Sequence, residues 1–152
     1  MFFLEQHSIF WKEGVEIDFD DFKGEPDYDS DNDYNMFHGM VFHGEDVQTG
    51  SVRAYFDQSK SWIKLDSITE KIKLSVMVRF DIYEIYTRKF NHRIEEMRKI
   101  EHTSMADLEQ EGRIIYNELK KFEEEVGQID LPFEERKAFI FSLLNQKLEE
   151  FE

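Results

Sequence analysis

The sequence predicts an α+β fold, in which an N-terminal antiparallel β-sheet packs on a long central helix that two further helices follow. Residues 1–66 hold five of the seven glycines and one of the two prolines between short apolar runs, a pattern typical of strands joined by turns. Residues 67–152 instead repeat apolar side chains at helical spacing. A β-rich part followed by an α-rich part indicates the α+β class. The length of 152 residues suits one domain, so we expect 1–152 to fold as a single unit.

Two runs in the first part, Tyr34–His43 and Thr49–Phe56, are predicted to be strands of a hairpin whose loop is Gly44–Gly50. Apolar and polar residues alternate along the second run, as they do in a half-buried strand. Its inward-facing residues are predicted to be Val52, Ala54 and Phe56. We also expect strands at Ile9–Trp11 and Val15–Phe19.

The second part predicts three helices. Ser67 and Glu70 fit a capping box at the start of the first helix, which extends over roughly 30 residues of helical apolar spacing. The second helix is expected to start near Ser104 and to stop at Gly127, a suitable residue for the position after a helix. Pro132 suits the first turn of the third helix, which ends near residue 151.

Composition excludes several classes of function. The chain has no cysteine, so it has no disulfide, no thiolate zinc site and no cysteine nucleophile. The net charge of −15, from 34 acidic and 19 basic residues, disfavours nucleic acid and anionic membranes as partners. No apolar run reaches the roughly 18 residues of a membrane-spanning helix, and the N-terminus lacks a signal-peptide pattern. We expect a cytoplasmic protein, with a signal removed from a longer precursor as the alternative.

A run of acidic residues is the strongest local pattern. Alternating aspartates resemble a calcium-binding loop, but the sixth position holds Asn32 where glycine is needed, and the twelfth holds His38 where glutamate is needed. A solvated acidic loop is therefore the favoured interpretation, and a surface that binds a basic partner is the functional one. The aspartates of this run are Asp18, Asp20, Asp21, Asp27, Asp29, Asp31 and Asp33.

No catalytic or metal-binding motif is complete. The five histidines include no His-x-x-x-His pair, and His38 and His43 face opposite sides of a regular strand. There is no Gly-x-Ser-x-Gly elbow and no phosphate-binding glycine loop. Structural or surface roles are favoured for the histidines, and no cofactor is expected.

Three charged residues, Arg79, Asp81 and Glu84, interrupt the most apolar stretch of the first predicted helix. Buried charges are costly unless they are paired, so an ion pair at the edge of the core, with Arg88 or Lys89, is the favoured interpretation. The functional alternative is the wall of a residual active site.

Three segments in the same order resemble the DUF922 family, a family of uncharacterised bacterial domains grouped with zinc-peptidase-like (zincin) folds. Residues Ile17–Asp27 are similar to the family's Trp-x-Asp-Phe-x-Gly-x-Pro-like segment, with Phe19 where tryptophan is usual. Phe56–Ile63 resembles its Ser-Trp element. Phe80–Glu84 matches the second half of its His-Glu-Gln-x-His-Phe-Asp-Ile-x-Glu helix. The resemblance implies a zincin-like α+β fold.

The residues that would bind and activate zinc in that family are replaced here. Ser75 and Arg79 stand where the two histidines would be, and Val76 stands where the general-base glutamate would be. Gln128, in a segment that resembles the source of a third ligand, takes a histidine position. Serine is a poor zinc ligand, valine is no base and a guanidinium repels a cation. The resemblance therefore implies a pseudoenzyme without metal, in which Arg79 pairs with Asp81 or Glu84.

Three functions follow from these observations. The first is a non-catalytic zincin-like domain that acts as a binding or scaffold protein. The second is an acidic inhibitor or immunity-type protein that docks on a basic protein partner through Asp18–Asp33. The third is a metal-dependent hydrolase with relocated ligands, which are His38, His43 and the acidic run.

Overall fold

The computed structural model describes residues 6–152 and has the expected α+β architecture, with 52% helix and 14% strand. A small antiparallel sheet region comes first and three helices follow. None of the helices in the described part of the chain is long and apolar enough to cross a bilayer. The strands are β1 (Ser8–Phe10), β2 (Tyr34–Asn35), β3 (His38–His43), β4 (Ser51–Asp57) and β5 (Trp62–Ile63), and the helices are α1 (Glu70–Met97), α2 (Met105–Gly127) and α3 (Phe133–Glu150).

The main sheet has the order β1-β4-β3, and both strand pairs are antiparallel. The predicted hairpin is β3 and β4, and the expected inward residues Val52, Ala54 and Phe56 are all buried. The predicted strand 34–43 is divided, because the Ser61 hydroxyl accepts from the Phe37 amide at 2.9 Å. This bond lies between β2, which pairs with β5, and β3, which pairs with β4.

The strand predicted at Val15–Phe19 is wrong. Ile17 is buried, but its amide donates to the sulfur of Met77 at 3.4 Å and not to a neighbouring strand. The chain then turns through a 3-10 helix at Phe19–Asp21. The Asp18 amide donates to the Asp21 carboxylate at 2.8 Å, and this local bond favours the turn over an extended strand.

Helix α1 begins later than the sequence predicts. Its N-cap is Thr69, whose hydroxyl accepts from the Ile72 amide at 3.2 Å. The Ser67 side chain is used elsewhere, since it donates to Asp33 at 3.2 Å from within a short 3-10 turn. The capping box predicted at Ser67 and Glu70 is therefore wrong, although the predicted helix is present.

Helix α2 starts as predicted, with a capping box between Ser104 and Asp107. Gly127 is its last helical residue and not the position after it, because Gln128 continues with helical dihedral angles as the C-cap.

Packing between α1 and α2 explains the glycine at position 112, in the middle of α2. A Cβ there would lie 3.3 Å from the ring of Phe90, so glycine lets α2 approach α1 closely.

Helix α1 lies at the centre of the molecule, in contact with β3 and β4 on one side and with α2 and α3 on others. Its apolar residues are buried around most of its circumference, because neighbouring elements pack on several of its sides. The main core joins α1 to the sheet and to both later helices, and a second cluster joins the hairpin to α1 and α2. Fully buried α1 residues include Val76, Phe80, Ile82 and Ile85.

Candidate functional site

A cavity of about 340 Å³ lies between α1 and the facing ends of α2 and α3. Lys71, Ser75 and Arg79 line it, and their spacing of four residues places them in one row along α1. Much of the rest of its wall is apolar, from Leu74, Val78, Ile82, Val126, Phe133 and Ile140. The two positions that the family resemblance assigns to zinc-binding histidines thus face one cavity.

Tyr34 of β2 contacts both of these residues. Its hydroxyl lies 2.9 Å from the hydroxyl of Ser75, within hydrogen-bond distance. The guanidinium of Arg79 lies over the Tyr34 ring, 5.8 Å from its centroid, and the Arg79 side chain is exposed. The small β2–β5 sheet therefore positions the polar side of the cavity through one tyrosine.

The charges that line the cavity are mainly positive, in a chain whose net charge is −15. Lys71, Arg79 and Arg136 make no ion pair with any residue of the described range 6–152. Among the described residues, the only acidic one in the lining is Glu123, which lies 3.5 Å from Lys120. The cavity lining therefore carries more positive than negative side chains, although Arg79 also lines a second pocket together with Asp31 and Asp33.

Two polar atoms at this cavity are buried without a hydrogen-bond partner in the described part of the chain. They are the Nε of Arg136 and one carboxylate oxygen of Glu123. A buried donor without an acceptor costs about 1–3 kcal/mol, and such groups call for a water, an ion or a ligand.

The other positions of the predicted degenerate site lie elsewhere. Val76 is 1% exposed in the core and does not line the cavity. Gln128 is exposed at the end of α2, although its neighbours Glu123 and Gly127 do line it. The structure therefore brings the segment around Gln128 beside Ser75, but not the Gln128 side chain that the resemblance singles out.

Asp81 and Glu84 lie on a different face of α1 from Arg79. The indole Nε1 of Trp11 donates to Asp81 at 2.9 Å, and Glu84 lies 3.7 Å from Arg88. The favoured ion pair with Arg88 is confirmed. The expected pairing of Arg79 with Asp81 or Glu84 is wrong, because residues two or five positions apart do not share a helix face.

Burial shifts the ionisation of both carboxyl groups. Loss of solvent raises the pKa of Asp81, and the hydrogen bond from Trp11 opposes that shift. Burial raises the pKa of Glu84 to about 7, against the opposing charge of Arg88. Glu84 therefore exchanges its proton near neutral pH, which neither composition nor motif analysis indicated.

His38, for which the sequence favours a structural or surface role, contacts Met36 and Tyr83. Its Nδ1 lies 2.8 Å from the carbonyl oxygen of Met36, and its ring lies 4.2 Å from the ring of Tyr83. Burial lowers the pKa of His38, so the neutral imidazole is favoured. His43 instead packs against Phe10 at 5.8 Å, on the opposite face of the sheet, as predicted.

The relocated metal site is not assembled. His38 and His43 point away from each other, and no group of three histidine, aspartate or glutamate side chains within residues 6–152 converges on one point. The acidic run also remains apart from them, with Asp27, Asp29 and Asp31 exposed.

Local hydrogen bonds account for several aspartates of the acidic run. Asp27 accepts from the Asp29 amide at 3.1 Å, and Asp21 accepts from Gln58 at 3.0 Å. Asp18, Asp20 and Asp33 are exposed. None of the seven aspartates forms an ion pair with a described residue. The run is therefore a largely exposed negative surface, and its members Asp31 and Asp33 share a pocket with Arg79.

The first two segments of the DUF922 resemblance pack against each other. The Gly24 amide donates to the Ser61 carbonyl at 2.8 Å, and the Lys23 amide donates to the Gln58 carbonyl at 2.9 Å. A Cβ at Gly24 would lie 2.9 Å from the Ser61 carbonyl oxygen, so only glycine permits this approach. These residues have a structural role that is independent of any zinc chemistry.

Comparisons of the chain with protein-family models, with curated proteins and with solved structures find no match. The resemblance to DUF922 therefore stays a prediction from the residues.

The sequence did not point to two cationic residues of the cavity, Lys71 and Arg136. The spacing of Lys71 from Ser75 and Arg79 is a signal that could have found it. No such signal exists for Arg136, which reaches the site from a helix more than 50 positions later.

Proposed function

We propose that the chain is a non-catalytic binding domain and that the cavity beside Ser75 and Arg79 is its binding site. The observation that carries this proposal is the convergence of Lys71, Arg79 and Arg136, all without ion pairs in the described chain, on one partly apolar cavity. The proposal keeps the zincin-like, pseudoenzyme interpretation of the helix as its evolutionary background.

The size and lining of the cavity support a small ligand. Ligand pockets are typically about 300–1,000 Å³, mostly apolar, with a few polar groups that orient the ligand. The cavity is about 340 Å³ and combines apolar walls with the Ser75 hydroxyl and three cationic side chains.

The chemistry of the motif positions supports the non-catalytic part. A zinc hydrolase needs imidazole or carboxylate ligands and a base for the metal-bound water. The hydroxyl of Ser75 is within hydrogen-bond distance of Tyr34, Arg79 carries a positive charge, and Val76 is buried in the core. These side chains supply neither ligands nor a base.

A fragment screen followed by backbone-amide NMR tests the binding site. A Cβ at Gly127, on the cavity wall, would meet no atom within 4 Å, so Gly127→Leu can be accommodated and is designed to narrow the cavity from that wall. Gly127→Ala is the matched control, since it makes the same backbone change with a much smaller side chain. We expect fragments to shift amides around the cavity in the wild type and in Gly127→Ala, and not in Gly127→Leu.

Two results would overturn the proposal. One is a screen in which no fragment shifts the amides around Ser75 and Arg79. The other is equimolar zinc in the purified protein together with peptide hydrolysis that a chelator abolishes, because this would restore a catalytic interpretation.

The acidic surface supports a second candidate function, docking on a basic protein. Its aspartates have no ion pairs with described residues, and Tyr28, among them, is 66% exposed. Electrostatic docking accelerates association and weakens with salt. A partner captured at low salt and retained equally well at high salt would contradict docking through this surface.

A further inference from the structure

The charged and apolar side chains that line the cavity beside Ser75 limit the chemical class of ligand that it can bind. We propose that it binds an amphiphilic monocarboxylate, an aliphatic or aromatic acid whose apolar body lies along the cavity wall and whose carboxylate meets Arg136. This inference rests on the proposed binding role of the cavity and specifies the class of its ligand.

The charged side chains of the cavity favour an anionic ligand. Lys71, Arg79 and Arg136 face the cavity against the single carboxylate of Glu123 among the described residues. Arg93 and Arg98 pair with glutamates, whereas Arg53 and Arg113, like the cations of the cavity, form no ion pair within the described range. A cavity with this local excess of cations, in a chain of net charge −15, favours an anion over a cation or a neutral ligand.

Arg136 has a buried hydrogen-bond donor without an acceptor among the described residues. This residue lies near the start of α3, and its Nε is buried with no acceptor among the residues that the structure describes. A carboxylate is the acceptor that fits best, because it can take two parallel hydrogen bonds from one guanidinium. The bond would remove the cost of the buried, unpaired donor.

Much of the cavity wall is apolar and favours a ligand with an apolar body. Leu74, Val78 and Ile82 line one side of the cavity, and Val126 and Ile140 belong to the helices opposite. A small hydrophilic anion such as phosphate could meet the cations but would gain nothing from these apolar side chains. An apolar chain or ring instead gains from the same surface, because both apolar surfaces leave water when they meet.

The volume of the cavity and its charges also limit the size of the ligand and the number of its carboxylates. A cavity of about 340 Å³ is at the small end of ligand pockets and does not hold a two-chain lipid. One carboxylate is enough to accept from the buried donor of Arg136, and Lys71 and Arg79 are exposed to solvent, so one carboxylate is favoured over two.

Calorimetric titration of the full chain tests the proposal with three probes of the same length: octanoate, octylammonium and octanol, each below its micelle-forming concentration. A fourth probe, 3-phenylpropionate, distinguishes aromatic from aliphatic bodies. We expect octanoate to bind about ten- to hundredfold more tightly than the other two octyl probes, which is the range for hydrogen bonds to a charged group.

Two charge-matched variants identify the site. Arg136→Gln should weaken octanoate binding at least about tenfold, whereas Arg113→Gln on the exposed surface of α2 should leave it unchanged. If Arg136→Gln does not fold, as judged by circular dichroism, the exposed Arg79→Gln takes its place with the same expected direction.

Each outcome decides one of the two proposals. Equal affinity for octanoate and octanol, or octanoate binding that is unaffected by both Arg136→Gln and Arg79→Gln, would overturn the ligand class. If octanoate fails to bind while fragments still shift cavity amides in a manner that Gly127→Leu abolishes, the binding site stands and the carboxylate inference is wrong. If octanoate and fragments both fail, the proposed function is wrong as well.

Discussion

Replacing Glu84 by glutamine should remove a large part of the pH dependence of stability. Glu84 is a half-buried carboxyl on α1 whose pKa burial raises from 4.5 to about 7, and whose side chain is 14% exposed. In the unfolded chain the same carboxyl loses its proton near its ordinary pKa. Between these two values the folded state binds more protons than the unfolded state, so its stability falls as pH rises.

The pKa shift of Glu84 determines how much the free energy of unfolding changes with pH. One pKa unit corresponds to about 1.4 kcal/mol, so the full shift is worth about 3 kcal/mol and about 2–3 kcal/mol after allowance for solvent at the partly exposed side chain. The stabilisation from protonated Glu84 is complete below pH 4.5 and is lost as pH rises through about 7. Glutamine cannot ionise, so Glu84→Gln should become more stable relative to wild type across this window.

Urea unfolding, followed by circular dichroism at several pH values from 5 to 8, measures the effect. Glu96→Gln on the same helix is the matched control, since it removes the same charge from a side chain that is 63% exposed. The variants share His38, so the contribution of that buried imidazole cancels. Arg88 also donates to the Leu148 carbonyl at 2.7 Å, a bond that does not involve the Glu84 side chain.

Parallel pH profiles for Glu84→Gln and Glu96→Gln would refute this reasoning. Such a result would mean that Glu84 is as well solvated in the folded protein as a surface carboxylate. The opposite trend, in which Glu84→Gln loses stability relative to wild type between pH 5 and pH 8, would contradict the expected direction of the effect. That result would show that attraction to Arg88 stabilises the ionised carboxylate by more than its burial costs.

Three further predictions concern packing and local bonds, each measured as the free energy of unfolding in urea. Phe80→Ala in the core should cost about 3–5 kcal/mol, whereas Phe139→Ala, at a ring that is 52% exposed, should cost less than about 0.5 kcal/mol. Thr69→Ala should cost about 1 kcal/mol and more than Ser67→Ala, and the reverse order would restore the predicted capping box. Trp11→Phe should cost about 1–3 kcal/mol by removing the donor to a half-buried carboxylate, and an unchanged stability would mean that the bond has no net value.

The helices were predictable because their signals are local. Ser104 and Asp107 lie three residues apart and satisfy each other's backbone groups, so the start of α2 can be predicted from neighbours in the chain. The start of α1 was misplaced because Ser67, also a good cap, bonds to Asp33 in a distant loop. A residue's local propensity does not reveal that a tertiary contact uses its side chain first.

The candidate site was partly predictable. Ser75 and Arg79 were singled out by resemblance, and their spacing of four residues predicted one helix face; both line the cavity between α1 and the ends of α2 and α3. The role expected for Arg79, an ion pair with Asp81 or Glu84, is wrong because of the same helical geometry. Arg136 could not be predicted, because its contribution depends on how α3 returns along α1.

The sequence by itself determined the α+β class, the β3–β4 hairpin and the three helices, because apolar periodicity and turn residues act over a few positions. It also determined the excess of negative charge and the absence of cysteine. Only the tertiary structure decided which charged side chains are buried and which of them lie close together. It buries Glu84 beside Arg88 and brings Lys71, Arg79 and Arg136 to one cavity, because burial and long-range packing are set by whole helices meeting and not by neighbours in the chain.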